Sequence, residues 1–266
     1  YHLGATTVRS TAGGDVAITL VPNPSHLEFV NPVLEGTARA LQRVPGGNDE
    51  SRVLPVLVHG DAAFPGEGVV AETFNLSNLR GYRTGGTLHI IVNNQVGFTT
   101  DPRDGRSTYY ASDLAKGFEV PIVHVNADDA ESCIAVIWLA LDYRARFKKD
   151  FLIDLVGYRR WGHNEADEPV YTQPKKAALI RTHPTPREVW GAQLVRDGVL
   201  DDAAVTAIDL EVQQAFEKIH EATRAANHPA HAPAEQRASV AAGPMETSVR
   251  PEQLVVLNER MLTWPS

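Results

Sequence analysis

An acid and an amide, each following an apolar run, are the residues of this sequence best suited to chemistry. Asp61 lies in His59-Gly60-Asp61-Ala62-Ala63-Phe64-Pro65-Gly66-Glu67-Gly68, directly after the apolar run at 53–58. Asn94 lies in Asn93-Asn94-Gln95, directly after Leu88-His89-Ile90-Ile91-Val92. Magnesium takes oxygen donors in near-octahedral geometry and usually shares them with phosphates. The Asp61 carboxylate, the Asn94 amide oxygen and the backbone carbonyl of Val96 make three protein donors, and two diphosphate oxygens and a water complete the shell. A neutral amide suits such a site, because the diphosphate already brings negative charge. Ala62 and Ala63 are small enough to let the backbone approach phosphate. Gly66 and Gly68 lead into a predicted helix whose first N–H groups can face an anion. A bland reading explains either half alone: Asp61 caps a helix, and Asn93-Asn94 makes a turn. Both halves at the ends of successive strands favour a site.

The elements that must position these residues follow from the apolar pattern. Short β-rich runs recur at 16–21, 53–58, 88–92, 122–125 and 151–156. They read as mostly continuous, which predicts strands covered on both faces. Helical segments are predicted between them at 28–44, 67–80 and 130–147, the last with Asp128 and Asp129 as candidate caps. Strand–helix alternation implies an α/β fold with a doubly wound, mostly parallel sheet. Ligands of such sheets bind beyond the carboxyl ends of the strands, where Asp61 and Asn94 fall. Past Tyr158 the chain turns polar and loop-like over 157–174. Thr185-Pro186-Arg187-Glu188 then marks a helix start. Helices are predicted through about position 226, a linker or mobile loop over 227–251, and an amphipathic helix over 251–262. The expected division is an α/β domain over 1–184 and a helical extension over 185–266.

Bulk properties narrow the function. The chain has 266 residues and opens on Tyr1 without an initiating Met, so it reads as a piece of a longer protein. Hydrophobic content of 43% with 22% charge is ordinary for a soluble globular protein. No run approaches the ~20 apolar residues that span a bilayer, so a membrane location is not expected. A net charge of −8 without a clustered basic patch disfavours nucleic acid. The lone Cys133 sits in the apolar helical stretch Cys133-Ile134-Ala135-Val136-Ile137-Trp138. It reads as a packing residue in a reducing compartment. A cytoplasmic location is expected (the mitochondrial matrix in a eukaryote).

Four longer strings carry a resemblance. They are Asn23-Pro24-Ser25-His26-Leu27-Glu28, Asn93-Asn94-Gln95-Val96-Gly97-Phe98-Thr99-Thr100, His124-Val125-Asn126-Ala127-Asp128-Asp129, and Tyr158-Arg159-Arg160-Trp161-Gly162-His163-Asn164-Glu165-Ala166-Asp167-Glu168-Pro169. Over about 1–195 the sequence resembles the decarboxylating dehydrogenase component of the 2-oxoglutarate dehydrogenase complex, and the related actinobacterial multifunctional 2-oxoglutarate decarboxylase. The resemblance implies a fold of the thiamine diphosphate-binding type, with the cofactor and Mg2+ held between two domains of a homodimer. It implies Asp61, Asn94 and the Val96 carbonyl as magnesium ligands and Ala62 and Ala63 along the diphosphate. It places Ser25 and Leu27 beside the cofactor, and His2 against the 2-oxo acid with Ser25 sharing that contact. His163 is implied to lie in a loop that orders around the diphosphate. His2 and, after it, His26 are the expected acid–base groups, since histidine titrates near neutral pH and donates to oxygen when protonated.

The activity this implies is oxidative decarboxylation of 2-oxoglutarate, with the succinyl unit passed to a lipoylated acyltransferase component. Two alternatives stand beside it: non-oxidative decarboxylation or carboligation of the same substrate, and an inactive cofactor-binding fragment. The latter arises because the glutamate that activates the cofactor's aminopyrimidine is implied to lie in a partner domain, so this segment alone is expected to release no carbon dioxide. A pyruvate-type enzyme is disfavoured by Asn-Glu-Ala-Asp-Glu-Pro after His163. A zinc site there is disfavoured because no second well-spaced His accompanies it. A dinucleotide-binding domain would need Gly-x-Gly-x-x-Gly, and Asp61 and Ala62 occupy the positions where a second Gly is required. Downstream of Val195 the sequence departs from the resemblance.

Overall fold

The structure is a computed structural model and describes residues 2–225 and 248–264. It divides into two compact units, Tyr1–Asp201 and Asp202–Ser266. The first begins with an antiparallel hairpin of β1 (Ala5–Thr11) and β2 (Gly14–Leu20). Helix α1 (Val30–Leu41) follows, and then a short pair of β3 (Arg43–Val44) and β4 (Gly47–Asn48). The α/β core comprises β5 (Val56–Gly60), α2 (Ala63–Gly66), α3 (Gly68–Leu76), β6 (Leu88–Asn93) and α4 (Pro102–Gly105). It continues with a 3-10 helix (Ala111–Phe118), β7 (Ile122–Asn126), α5 (Ala130–Phe147) and β8 (Phe151–Val156). Helices α6 (Pro174–Thr182) and α7 (Pro186–Arg196) complete the unit. The second unit contains α8 (Asp202–Ala225) and α9 (Pro251–Leu262).

The predicted α/β class holds: the main sheet is parallel with strand order β5-β6-β8-β7. Apolar packing lies on its two sides in separate clusters. One joins Phe64, Val70, Phe74, Ile91 and Leu152 to Ala111 and Ala115 of the 3-10 helix. The other joins Leu88, Val125, Phe151 and Ile153 to Ala140 of α5. Phe64, Ile91 and Leu152 are fully buried, and truncating such a Phe typically costs about 3–5 kcal/mol. Helix α5 spans the predicted 130–147 because Asp129 accepts the Ser132 N–H at its start and Lys148 takes a left-handed conformation at its end. Helix α7 starts where Thr185 and Glu188 form a reciprocal capping box.

Several expectations change. The run at 16–21 is not a covered strand of the main sheet; it forms β2, exposed along its length like β1. Val16, Ile18 and Leu20 alternate with smaller or polar residues, which is the antiparallel period rather than a buried run. The strand expected at 53–58 occupies Val56–Gly60, because the ladder opens with the Leu88 N–H donating to the Pro55 carbonyl. Coverage on both faces holds for β8, buried at Phe151, Leu152, Ile153 and Asp154. It fails for the edge strand β5, where Val56 and Val58 are exposed. The helices expected at 28–44 and 67–80 shorten to α1 and α3. The first compact unit runs to Asp201, not 184, and so includes α6 and α7. The linker expected over 227–251 falls largely outside the described residues, and α9 begins at Pro251.

Candidate metal and diphosphate site

Register brings the two halves of the motif together. In the parallel pairing of β5 with β6, Gly60 stands opposite Val92. Asp61 and Asn94 therefore leave adjacent strands at the same edge. The Asn94 backbone N–H lies near enough to the Asp61 carboxylate to favour its charged form, and Asp61 is almost fully buried. Burial pushes its carboxyl above the usual range, while the Arg106 guanidinium, 3.6 Å away, and backbone N–H groups pull it back down. Arg106 is itself largely buried, and its Nε has no hydrogen-bond partner.

The paired asparagines divide their work. Asn93 turns inward: its Nδ2 donates to Asp154 Oδ1 at 3.0 Å, and its Oδ1 accepts the Gln95 N–H. Asp154, fully buried, also accepts from His124 Nδ1 at 2.8 Å. Asn94 is half-buried, and its Oδ1 accepts the Val96 N–H at 3.2 Å. Gln95 takes a left-handed conformation with φ 60° and is held there by two bonds. Its Nε2 donates to the Gly157 carbonyl, and Lys176 Nζ donates to its own carbonyl, at 2.7 and 2.8 Å. Gly97 closes the turn against the first motif. A Cβ at Gly97 would lie 2.7 Å from the Ala62 Cβ, so only glycine admits this approach. Ala62 is exposed, and Ala63 is buried in the first turn of α2.

A cavity of about 450 Å³ opens here, lined by Asn94, Val96, Arg159, Asp167, Glu168 and Lys176 among others. Its wall is the 159–168 loop. Arg159 donates to the Phe98 carbonyl at 2.8 Å and stands 3.6 Å from Asp167. The Asp167 carboxylate accepts the His163 N–H, and the His163 ring packs 4.9 Å from Phe98. A Cβ at Gly162 would overlap the Asp167 carbonyl at 2.0 Å, so this loop too depends on a glycine.

The donor set fits a magnesium-bound diphosphate. Asp61 and Asn94 offer hard oxygens on neighbouring strand ends, and Ala62 and Gly97 leave the surface between them flat. The buried Asp61 has a single cation at 3.6 Å, longer than a charge-assisted hydrogen bond. Among the described residues no three His, Cys, Asp or Glu side chains converge as a metal cage. A site built on one carboxylate, one amide and a backbone carbonyl needs none.

The remaining expected residues form a second group. His2 Nδ1 donates to the Asn23 carbonyl at 2.7 Å, which seats it at the base of the segment carrying Ser25, His26 and Leu27. That assigns the Nδ1 proton and leaves Nε2 with the lone pair in the neutral ring. Ser25, His26 and Leu27 are exposed, and the His26 ring lies edge-on to Phe29 at 5.9 Å. The tie between this group and the strand of Asp61 is Glu28, which bonds to His59 at 2.6 Å. Sequence reasoning missed Arg106, Glu28, His59 and Asp154. Each residue was visible, but its partner lies far along the chain, and nothing local signals such a pairing.

The family described as "Dehydrogenase E1 component" matches residues 3–234. The chain is 50% identical over 273 aligned residues to the 2-oxoglutarate dehydrogenase E1 component of Bacillus mycoides (strain KBAB4) and 48% identical to that of Bacillus subtilis (strain 168). In both cases the whole of this chain is covered but only 29% of the relative, so it spans under a third of their length. With the matched region embracing the sheet, both strand-end motifs and the loop that walls the cavity, the chain belongs to the dehydrogenase E1 component family.

Proposed function

We propose that this chain is the part of a thiamine diphosphate-dependent 2-oxo acid dehydrogenase that grips the cofactor's magnesium diphosphate, and that the enzyme acts on 2-oxoglutarate. The observation that carries this reading is the convergence of Asp61 and Asn94 at adjacent strand ends, with Gly97 packed against Ala62. Family membership implies thiamine diphosphate, and the relatives are named for 2-oxoglutarate. The activity is oxidative decarboxylation with transfer of the succinyl group to a lipoylated acyltransferase component, in a homodimer whose second subunit completes the site.

When bound, the cofactor would supply a nucleophilic carbon and an electron sink for decarboxylation of a 2-oxo acid. The chain's own residues do the rest. Asp61, Asn94 and the Val96 carbonyl hold Mg2+, and Ala62 and Ala63 lie along the diphosphate. Ser25 and Leu27 contact the cofactor, and His163 rests against the diphosphate-proximal turn. His2, with Nδ1 committed to Asn23, would face the substrate and move a proton, or bind a carboxylate in its protonated form; Ser25 would share the substrate contact and His26 assist.

The test uses the intact protein. Calorimetry with thiamine diphosphate should show binding that requires Mg2+, and carbon dioxide release should be faster from 2-oxoglutarate than from pyruvate. Tight binding of NAD instead of thiamine diphosphate would overturn the reading.

A further inference from the structure

Glu28 is nearly buried and adopts φ 67°, a left-handed conformation uncommon for a residue with a side chain. Such strain persists only where surrounding contacts enforce it. Here they are explicit. Glu28 Oε2 accepts from Asn31 Nδ2 at 2.8 Å and from His59 Nδ1 at 2.6 Å, and the Glu28 carbonyl accepts the Asn31 N–H. The His59 side chain is fully buried, with Phe64 edge-on to its ring and His89 stacked against it. With its Nδ1 proton donated to Glu28, His59 Nε2 accepts from His89 Nδ1 at 3.0 Å. All donors in this chain point toward Glu28, and neighbouring bonds so aligned reinforce one another.

The ends of this chain matter. Glu28 directly follows Leu27, and His59 on β5 lies two residues before Asp61. We infer that the buried Glu28–His59 bond is a positioning device that fixes the Ser25–His26–Leu27 segment, and with it His2, against the strand that carries the metal ligand. The inference rests on the proposed assignment of that segment to cofactor and substrate. Neither Glu28 nor His59 touches a reacting atom. They act through the segment they hold, so removing the bond leaves the Asp61–Asn94 grip in place and displaces the groups that face the substrate.

The experiment compares Glu28→Ala, Glu28→Asp and Glu28→Gln in the intact protein. Glu28→Ala should raise KM for 2-oxoglutarate at least tenfold and lower kcat, while the Kd for magnesium thiamine diphosphate, held chiefly by the Asp61–Asn94 grip and only in part by Ser25 and Leu27, should rise several-fold less than KM. Glu28→Gln keeps an oxygen for the His59 N–H and should recover KM to within about threefold of the parent. Hydrogen exchange supplies a readout independent of turnover: the Asn31 amide, which donates to the Glu28 carbonyl, should lose protection in Glu28→Ala, and the Glu67 amide, which donates to the Ala63 carbonyl, should not. Should Glu28→Ala fail to fold, Glu28→Asp, which shortens the side chain by one methylene, should show the same split in smaller measure. Equal loss at both amides, or an unchanged KM with only a lowered melting temperature, overturns the inference and leaves a purely structural bond. A parent protein that ignores 2-oxoglutarate sinks the functional reading instead, and the exchange experiment still decides whether the tie exists.

Discussion

At the carboxyl ends of β5 and β6 the turn-forming polar groups find partners within the fold, whereas the hairpin of β1 and β2 meets solvent along its whole length. The contrast separates two ways of placing a functional residue. Asp61, Asn93 and Asn94 follow directly from strands locked by parallel register, so their positions are set before any ligand arrives. His2, Ser25 and Leu27 flank an exposed ribbon and depend on two discrete ties, the His2 bond to Asn23 and the Glu28 bond to His59. In the proposed assignment, preorganisation is strongest where the diphosphate would be held and looser where the substrate would enter.

The sharpest way to break this comparison is Asp61→Asn. The variant keeps the side chain's shape and removes its charge, so binding of magnesium thiamine diphosphate should weaken at least ~100-fold, about 2.7 kcal/mol. The melting temperature without ligand should stay level or rise, because burial already disfavours the ionised carboxyl. Calorimetry and thermal melts measure the two quantities separately. A large fall in stability would mean that Asp61 is principally a structural residue. Asp154→Asn should do the reverse. It leaves His124 facing an amide and unsettles Asn93, costing about 1–3 kcal/mol of stability by denaturant melts.

Gly97→Ala tests the approach of the two motifs. The added carbon meets Ala62 at 2.7 Å and must push the Asn94 turn away from Asp61. Cofactor affinity should fall about tenfold, or about 1.4 kcal/mol, and a second change, Ala62→Gly, should restore much of it. Failure of that rescue would detach Gly97 from the site. On the hairpin, by contrast, Val8→Thr or Ile18→Thr should change stability by less than about 0.5 kcal/mol, since both residues are exposed.

Much of the strand-end site was legible because its parts are local. Asp61 and Asn94 each follow an apolar run, and the register of adjacent parallel strands then fixes their meeting. The limits of α5 were legible for the same reason, since Asp129 caps it within its own first turn. What escaped was long-range. Glu28 and His59 are 31 positions apart, and Asn93 and Asp154 are 61 apart. A carboxylate in the sequence does not reveal which distant donor will bury it. The misread strand at 16–21 failed otherwise. Its apolar residues alternate, but treating them as a continuous run hid the antiparallel partner at 5–11.

Glu35 offers the smallest effect and tests whether strain is confined to the site. Burial raises its carboxyl above the usual range, although the Thr84 and Thr87 hydroxyls donate to it at 2.7 and 2.6 Å. A raised folded-state value means that the native protein keeps this proton at a pH where the unfolded chain has released it. Stability from this group is therefore fully present below the unfolded value and declines as pH rises through the folded one. Glu35→Gln cannot titrate, so the difference in stability between parent and variant should shift toward the variant from mildly acidic to neutral pH. Denaturant melts across that range measure the slope. A difference that grows in the parent's favour would show that the two threonine hydroxyls outweigh burial, and that the back of α1 is as settled electrostatically as the Asn93–Asp154 turn.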